Sequence, residues 1–534
     1  MKGDVIAWYR RCLTLLFCAA LLPIILTGCG GRQGPDGKVY RTYLSADPTT
    51  LDPALSNDAG SGELCALLYD GLVRFDHHTE ILPDLAESWE ISSNSRTYTF
   101  HLRSGVRFTN GREVTAEDVR YSFQRVLDPA TRSSRGWVFE PIAGARDFNT
   151  GAADDVSGIR VIDRLTVEIT LEEPFAPFLG FLAMPAALVI PREEIERWGQ
   201  DFSEHPTGTG PWVLDQWVHD DHLLLRVNED YFGPRPKLSQ VRYRIIPETM
   251  TVTAEFEAGN LDWMSIPSAE FERWMEDPRW QPTILSQLKL QDTYIGINNQ
   301  KPPFDDVRVR QALNYAVDVA TIMETIRPGR GIRANGAIPP GLPGSDPDRP
   351  SYPYDPDQAR RLLAAAGFPD GLRMEIWKMQ SPEVARILEA VQAYLADVGI
   401  QAEIISRDWG MLKQAINSGE PDAYYMTWLA DYPDGENFLY PTFHSSNWGG
   451  GGNRARYRNQ QVDELIDQAR SVLDDEDRTQ LYRRIDAIVH QEAAWLYLWY
   501  PKIFVVHQPW VKNFRQHLMF NADKLLDVDI SQDS

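Results

Sequence analysis

Polar and apolar residues alternate over Val39–Leu44, 96–103 and 165–171, a period of two that predicts strands with one buried face. Residues 210–227 read as a hairpin, with Trp212-Val213-Leu214 and Leu223-Leu224-Leu225 flanking the polar tip His219-Asp220-Asp221-His222. A period near 3.6 takes over at 306–317, 382–398, 462–473 and 475–492 and predicts helices there. Several helix ends carry matching chemistry. Thr115-Ala116-Glu117-Asp118 is a capping box that opens a helix to about Leu127. Asp355-Pro356 sets an N-cap before a proline at the first helical position, and Gly367 and Gly399 close the two helices before them. The aromatic run 493–506 reads as buried strand, because Pro501 would break a helix. Strands and helices are mixed throughout, so the class is α/β or α+β, and the length predicts at least two domains. The glycine run 449–452 precedes no helix start and is expected to be a flexible loop.

One segment stands out for its chemistry. Thr427-Trp428-Leu429-Ala430-Asp431-Tyr432-Pro433-Asp434-Gly435 places an acid directly after a short apolar strand and before a Pro/Gly turn, among aromatic residues. A carboxylate in that setting suits capture of a cation in a partly dry cleft. The same pattern also serves simply to start a turn, and the segment alone leaves both open. Asp434 is expected to act in the turn only.

The ends and the composition narrow the context. Lys2, Arg10 and Arg11 precede an apolar run from Cys12 to Leu26, followed by Leu26-Thr27-Gly28-Cys29. The run falls short of the ~20 residues of a membrane span and predicts an export signal over residues 1–28. Gly30, Gly31, Gly34, Pro35 and Gly37 then predict a tether over 29–37. Cys12 and Cys18 lie in the signal, which leaves Cys29 and Cys65 and excludes a disulfide framework. The formal net charge is −23, and removing the basic leader makes the remainder more acidic still. Nucleic acid is therefore not an expected partner.

Enzyme signatures are missing. There is no Gly-x-Ser-x-Gly elbow, no His-Glu-x-x-His helix and no phosphate loop, and Gly329-x-Gly331 lacks the spacing of a dinucleotide fingerprint. His219 and His222 have no third ligand nearby in the sequence, so no metal and no cofactor are expected.

The order of segments resembles the extracellular solute-binding proteins of dipeptide, oligopeptide and nickel ABC transporters. The landmarks are Pro48-Thr49-Thr50-Leu51-Asp52-Pro53, Leu68-Tyr69-Asp70-Gly71-Leu72, Leu82-Pro83-Asp84-Leu85-Ala86-Glu87-Ser88-Trp89 and Pro206-Thr207-Gly208-Thr209-Gly210-Pro211. Pro303 to Leu313 and Tyr354-Asp355-Pro356 follow in the same order, and the similarity runs from about Val39 to Phe514. Leu26-Thr27-Gly28-Cys29 resembles the bacterial lipobox, which implies that Cys29 is lipidated and anchors a protein on the periplasmic side of the cell envelope.

The resemblance implies a two-lobed α/β binding protein with its ligand between the lobes. Lobe I would combine 38–75, 205–292 and 500–534, with an additional domain over 76–204, and lobe II would span 293–499. Hinges would fall near 293–298 and 496–502. The implied role is non-enzymatic: capture of peptides, expected to be oligopeptides, by a monomer that delivers them to an ABC permease. A chelated metal, opine or oligosaccharide on the same scaffold is the alternative, and an envelope hydrolase is disfavoured by the missing motifs. In peptide-binding members the position of Asp431 receives the ligand's α-amino group, and Trp428 and Trp409 match aromatic positions of the same cleft. Dipeptide-specific members carry a carboxylate-clamping Arg after a Trp-x-Met segment. Here Trp377-Lys378-Met379-Gln380-Ser381-Pro382 has none, and Lys378 would be a point charge without the fork geometry.

Overall fold

The computed structural model describes residues 37–531. The export segment and Cys29 lie outside the described residues. Val39–Leu44 runs parallel to Gln240–Ile245, which continues antiparallel to His222–Val227 and then to Trp212–Val218. The alternation buries Tyr40, Thr42 and Leu44 on one face, against a core that includes Leu64, Trp212, Leu223 and Tyr243. A second, wholly antiparallel sheet is built from Ala86–Ile91, Thr97–Leu102, Thr166–Thr170 and Ile159–Asp163. The helix Ala116–Leu127 turns Val119, Phe123 and Val126 toward it, and its start is fixed by the Thr115 N–H, which donates to the Asp118 carboxylate at 2.8 Å.

The third sheet joins the molecule. Ile400–Arg407, Leu372–Met379, Ala423–Leu429 and Gln291–Ile297 lie side by side, followed by the 13-residue strand Trp495–His507. The first part of that long strand pairs with Gln291–Ile297, and its last part pairs with Ile284–Leu288 and Trp263–Ser265. Only Lys289 and Leu290 separate Ile284–Leu288 from Gln291–Ile297, and the Lys289 N–H donates to the Pro501 carbonyl at 2.9 Å. Two chain segments thus pass together from one lobe to the other. The architecture is the two-lobed α/β class that the resemblance implies.

Residues 176–181 also touch the segments around Tyr432 and Arg470. The Phe181 and Tyr432 ring centroids are 4.7 Å apart, and the Ala176 N–H donates to the Arg470 carbonyl at 2.8 Å. The glycine run expected to be a flexible loop is instead a tight turn over Gly449–Gly451. Gly449 has φ +75°, and a Cβ there would come within 2.5 Å of the Asn417 carbonyl oxygen, so the run packs where a side chain would clash.

Candidate ligand-binding site

The strand Ala423–Leu429 is central in the third sheet, between Gln291–Ile297 and Leu372–Met379. Its pairing ends just beyond Leu429, where the Ala430 N–H donates to the Leu290 carbonyl at 2.9 Å. The chain then leaves the sheet, so Asp431 sits at the strand's carboxyl end before the helix Glu436–Phe443 begins. Asn437 from that helix holds the corner. Its side-chain oxygen accepts the Asp431 N–H at 3.0 Å, and its backbone carbonyl accepts the Trp428 indole N–H at 2.9 Å. Behind Trp428, the buried Asp292 accepts the Trp428 backbone N–H at 3.1 Å, and burial holds its carboxyl well above the usual range.

Asp431 and Trp428 face a cavity of about 850 Å³ that residues from the stretches 135–146 and 172–181 also line. Trp137, Phe181 and Tyr440 supply aromatic wall, and Arg135, Glu173 and Arg470 supply charge. The Asp431 side chain is 42% exposed, and Arg135 Nη1 lies 3.9 Å from its Oδ1. Burial raises the Asp431 pKa, while Arg135 and Asn437 draw it back. Arg470 is already occupied: its guanidinium lies 3.6 Å from the Tyr440 ring centroid and its Nε 2.9 Å from Glu436 Oε1. The arrangement presents the Asp431 carboxylate beside aromatic surface in a cleft that Glu140, Glu172 and Glu173 also line, which is binding chemistry suited to a cationic group.

The other sequence candidates lie elsewhere. Trp409 begins the helix Trp409–Ser418, is 48% exposed and is not among the residues lining this cavity. Lys378 is buried, with its ammonium 3.2 Å from Ser406 Oγ and 3.3 Å from the Met379 carbonyl. His219 rests 2.7 Å from Asp47, and His222 is 2.8 Å from Asp221. Among the described residues no group of three or more His, Cys, Asp or Glu is arranged to hold a metal. Asp434 is more than a turn residue: its Oδ1 accepts the Glu436 N–H at 2.8 Å and its Oδ2 lies 3.8 Å from Arg478 Nε.

Sequence reasoning missed Arg135, Asn437 and the Arg470–Tyr440 stack. Asn437 stands six residues after Asp431 and carried a positional hint. Arg135 lies in the polar loop before Gly136–Val138, some 300 residues away in sequence, and nothing local marks it.

A two-lobed binding protein, with a solute cleft at the end of a central strand, is the class defined by this fold and site. The chain belongs to the bacterial extracellular solute-binding proteins, family 5, whose middle region it matches over residues 80–450. It is 33% identical to heme-binding protein A of Haemophilus influenzae over 91% of this chain and 90% of that one. It is 31% identical to the glutathione-binding protein GsiB of Escherichia coli over 87% of this chain and 90% of that one. Among solved structures it resembles the ABC transporter-associated periplasmic binding protein DppA from Helicobacter pylori in complex with the peptide STSA. That likeness has TM-score 0.76 and 30% identity, covering 92% of this chain and 98% of that one. Among the described residues no helix is long and apolar enough to cross a membrane.

Proposed function

We propose that this protein captures peptides or peptide-like solutes in the cleft between its lobes, outside the cytoplasmic membrane, and delivers them to an ABC permease. The observation that carries the reading is the Asp431 carboxylate at the strand end, beside Trp428 and facing a cavity large enough for a short peptide. Asp431 accepts the ligand ammonium and Trp428 walls the site, while Trp409, which the family resemblance assigns to the cleft, stands outside this cavity. Relatives named for glutathione binding and a structural neighbour holding a peptide support this chemistry, and one named for heme keeps a non-peptide solute as the alternative. Offering a peptide library to the purified protein and identifying what co-purifies tests the reading. Intact bound peptides support it; cleavage products or an absence of peptide overturn it.

The lobe limits at 205, 293 and 500 and a monomeric state belong to the same proposal, as does anchoring through a lipid on Cys29. Several acyl chains hold firmly where a single one is marginal. Cys29→Ala should move the protein from the membrane to the soluble fraction, and unchanged membrane association on fractionation would remove the anchor.

A further inference from the structure

Phe175, Ala176 and Phe181 stand on a short segment that follows the strand Thr166–Thr170 of the second sheet. The Leu171 N–H donates to the Arg96 carbonyl at 2.8 Å and the Phe178 ring meets Tyr98 edge-on at 5.0 Å, so the segment is fastened to that sheet. Its other side is applied to residues that follow the strand Ala423–Leu429 of the third sheet. Phe181 lies edge-on to Tyr432, and Phe175 packs edge-on against Phe181 with centroids 4.9 Å apart. The Arg470 guanidinium has two rings beside it, Tyr440 at 3.6 Å and Phe175 at 5.0 Å. Glu436, which pairs with Arg470 Nε, also accepts the Tyr432 hydroxyl. Phe175, Phe181 and Tyr432 are all buried and belong to one continuous apolar core. Phe175 is not among the residues lining the Asp431 cavity.

We propose that Phe175, Ala176 and Phe181 form a latch that holds the lobes together independently of the solute. The inference rests on the lobe limits proposed above, which put 76–204 and 293–499 on separate bodies. Rotating those bodies apart would uncover the Phe175, Phe181 and Tyr432 rings, take Phe175 from Arg470 and break the bond from the Ala176 N–H to the Arg470 carbonyl. Arg470 would keep Tyr440 and Glu436, which belong to its own body, so no buried charge loses its counter-charge. The surface parts cleanly and reversibly, as a latch must. The apolar area returned to water and the lost cation–π contact both favour the closed arrangement. None of that free energy comes from a contact with solute. Apparent affinity is the intrinsic affinity scaled by the fraction of molecules in the competent state, so the latch sets affinity for every solute alike. A residue that touched solute would instead discriminate among solutes.

Spin labels on Asp154→Cys and Arg484→Cys, both exposed and one on each body, report the separation without any solute, since Cys65 is buried. Double electron–electron resonance should give a longer mean distance when Phe175→Ala is added to this labelled background. Phe175→Leu, which keeps apolar bulk but offers Arg470 no ring, should fall in between. Calorimetry with trialanine and pentaalanine should show both peptides weakened in Phe175→Ala by the same factor. That factor should be about tenfold, the scale of one lost desolvated cation–π contact. Circular dichroism melts establish that each variant is folded, and Phe175→Leu carries the test if Phe175→Ala does not fold. Unchanged distances, or a loss confined to one peptide, overturn the latch. If wild type binds both peptides in that case, peptide capture stands without it. A wild type that binds neither peptide counts against peptide capture and leaves the distances to decide the latch.

Discussion

Asp431 and Glu63 show how burial sets what a single carboxyl does. Asp431 keeps much of its surface toward the cavity, whereas Glu63, half-buried, is set beside Tyr243 and accepts a hydrogen bond from its hydroxyl at 2.9 Å. Asp431→Asn preserves shape and removes charge, leaving a bound ammonium without its partner. Breaking a buried pair costs about 3–5 kcal/mol, roughly two to three and a half decades in dissociation constant. The 42% exposure of the side chain favours the lower end of that range. Calorimetry with a free-amine peptide should show the loss, and N-acetylated ligand should bind weakly to both proteins. Affinity comparable to wild type in the variant would end the ammonium role. Because the Asp431 pKa is raised, affinity should also fall on acidification sooner than an ordinary aspartate would require. Glu63 works in the other direction. Burial pushes its pKa to about 7, against hydrogen bonding from Tyr243 and with a further push from Asp523. The folded state therefore holds a proton that the unfolded chain has released, and stability falls as pH rises from about 4.5 to about 7. Glu63→Gln should melt higher than wild type at pH 8 and close to it at pH 5. An equal difference at both pH values would contradict this.

At the scale of elements, local chemistry carried a long way. The helix Pro382–Asp397 begins at Ser381, whose hydroxyl accepts the Val384 N–H, and proline followed by acid opens its first turn. Those are short-range signals that a sequence displays in full. The strand end at Asp431 was legible for the same reason. What stayed hidden was what lies across from it, because Arg135 reaches Asp431 only once two separately folded layers meet. The glycine run was misread for a related cause: its tightness comes from Asn417, more than thirty residues earlier. Asp434 shows the same limit, since a turn residue by pattern proves to support a helix start and to face Arg478. Asp434→Ala should lower unfolding free energy in urea by about 1 kcal/mol, as loss of a helix-start acceptor does. Affinity of the folded variant for an amine ligand should stay near wild type. A loss of affinity without a loss of stability would instead place Asp434 in the site.

At the scale of the whole molecule, the expected hinges near 293–298 and 496–502 lie on two strands that run side by side, with the Lys289 N–H bonded to the Pro501 carbonyl just before the first. Closure on a ligand would be a hinge rotation taken up where both strands change neighbours. Small-angle scattering should give a smaller radius of gyration with saturating ligand, and identical curves for a ligand that calorimetry shows to bind would refute the hinge. The long strand Trp495–His507 has one more consequence, and it concerns timing. It lies between Trp263–Ser265 and Gln291–Ile297, and the segment after it returns to lobe I, where Lys524 pairs with Asp70. A chain emerging N-terminus first has therefore made nearly all its helices before either lobe can be finished. Until the last forty residues arrive, Gln291–Ile297 has an open edge and Asp70 a buried site without its cation. Both sites are thus completed by contacts hundreds of residues apart in sequence, the kind of non-local pairing that forms slowly.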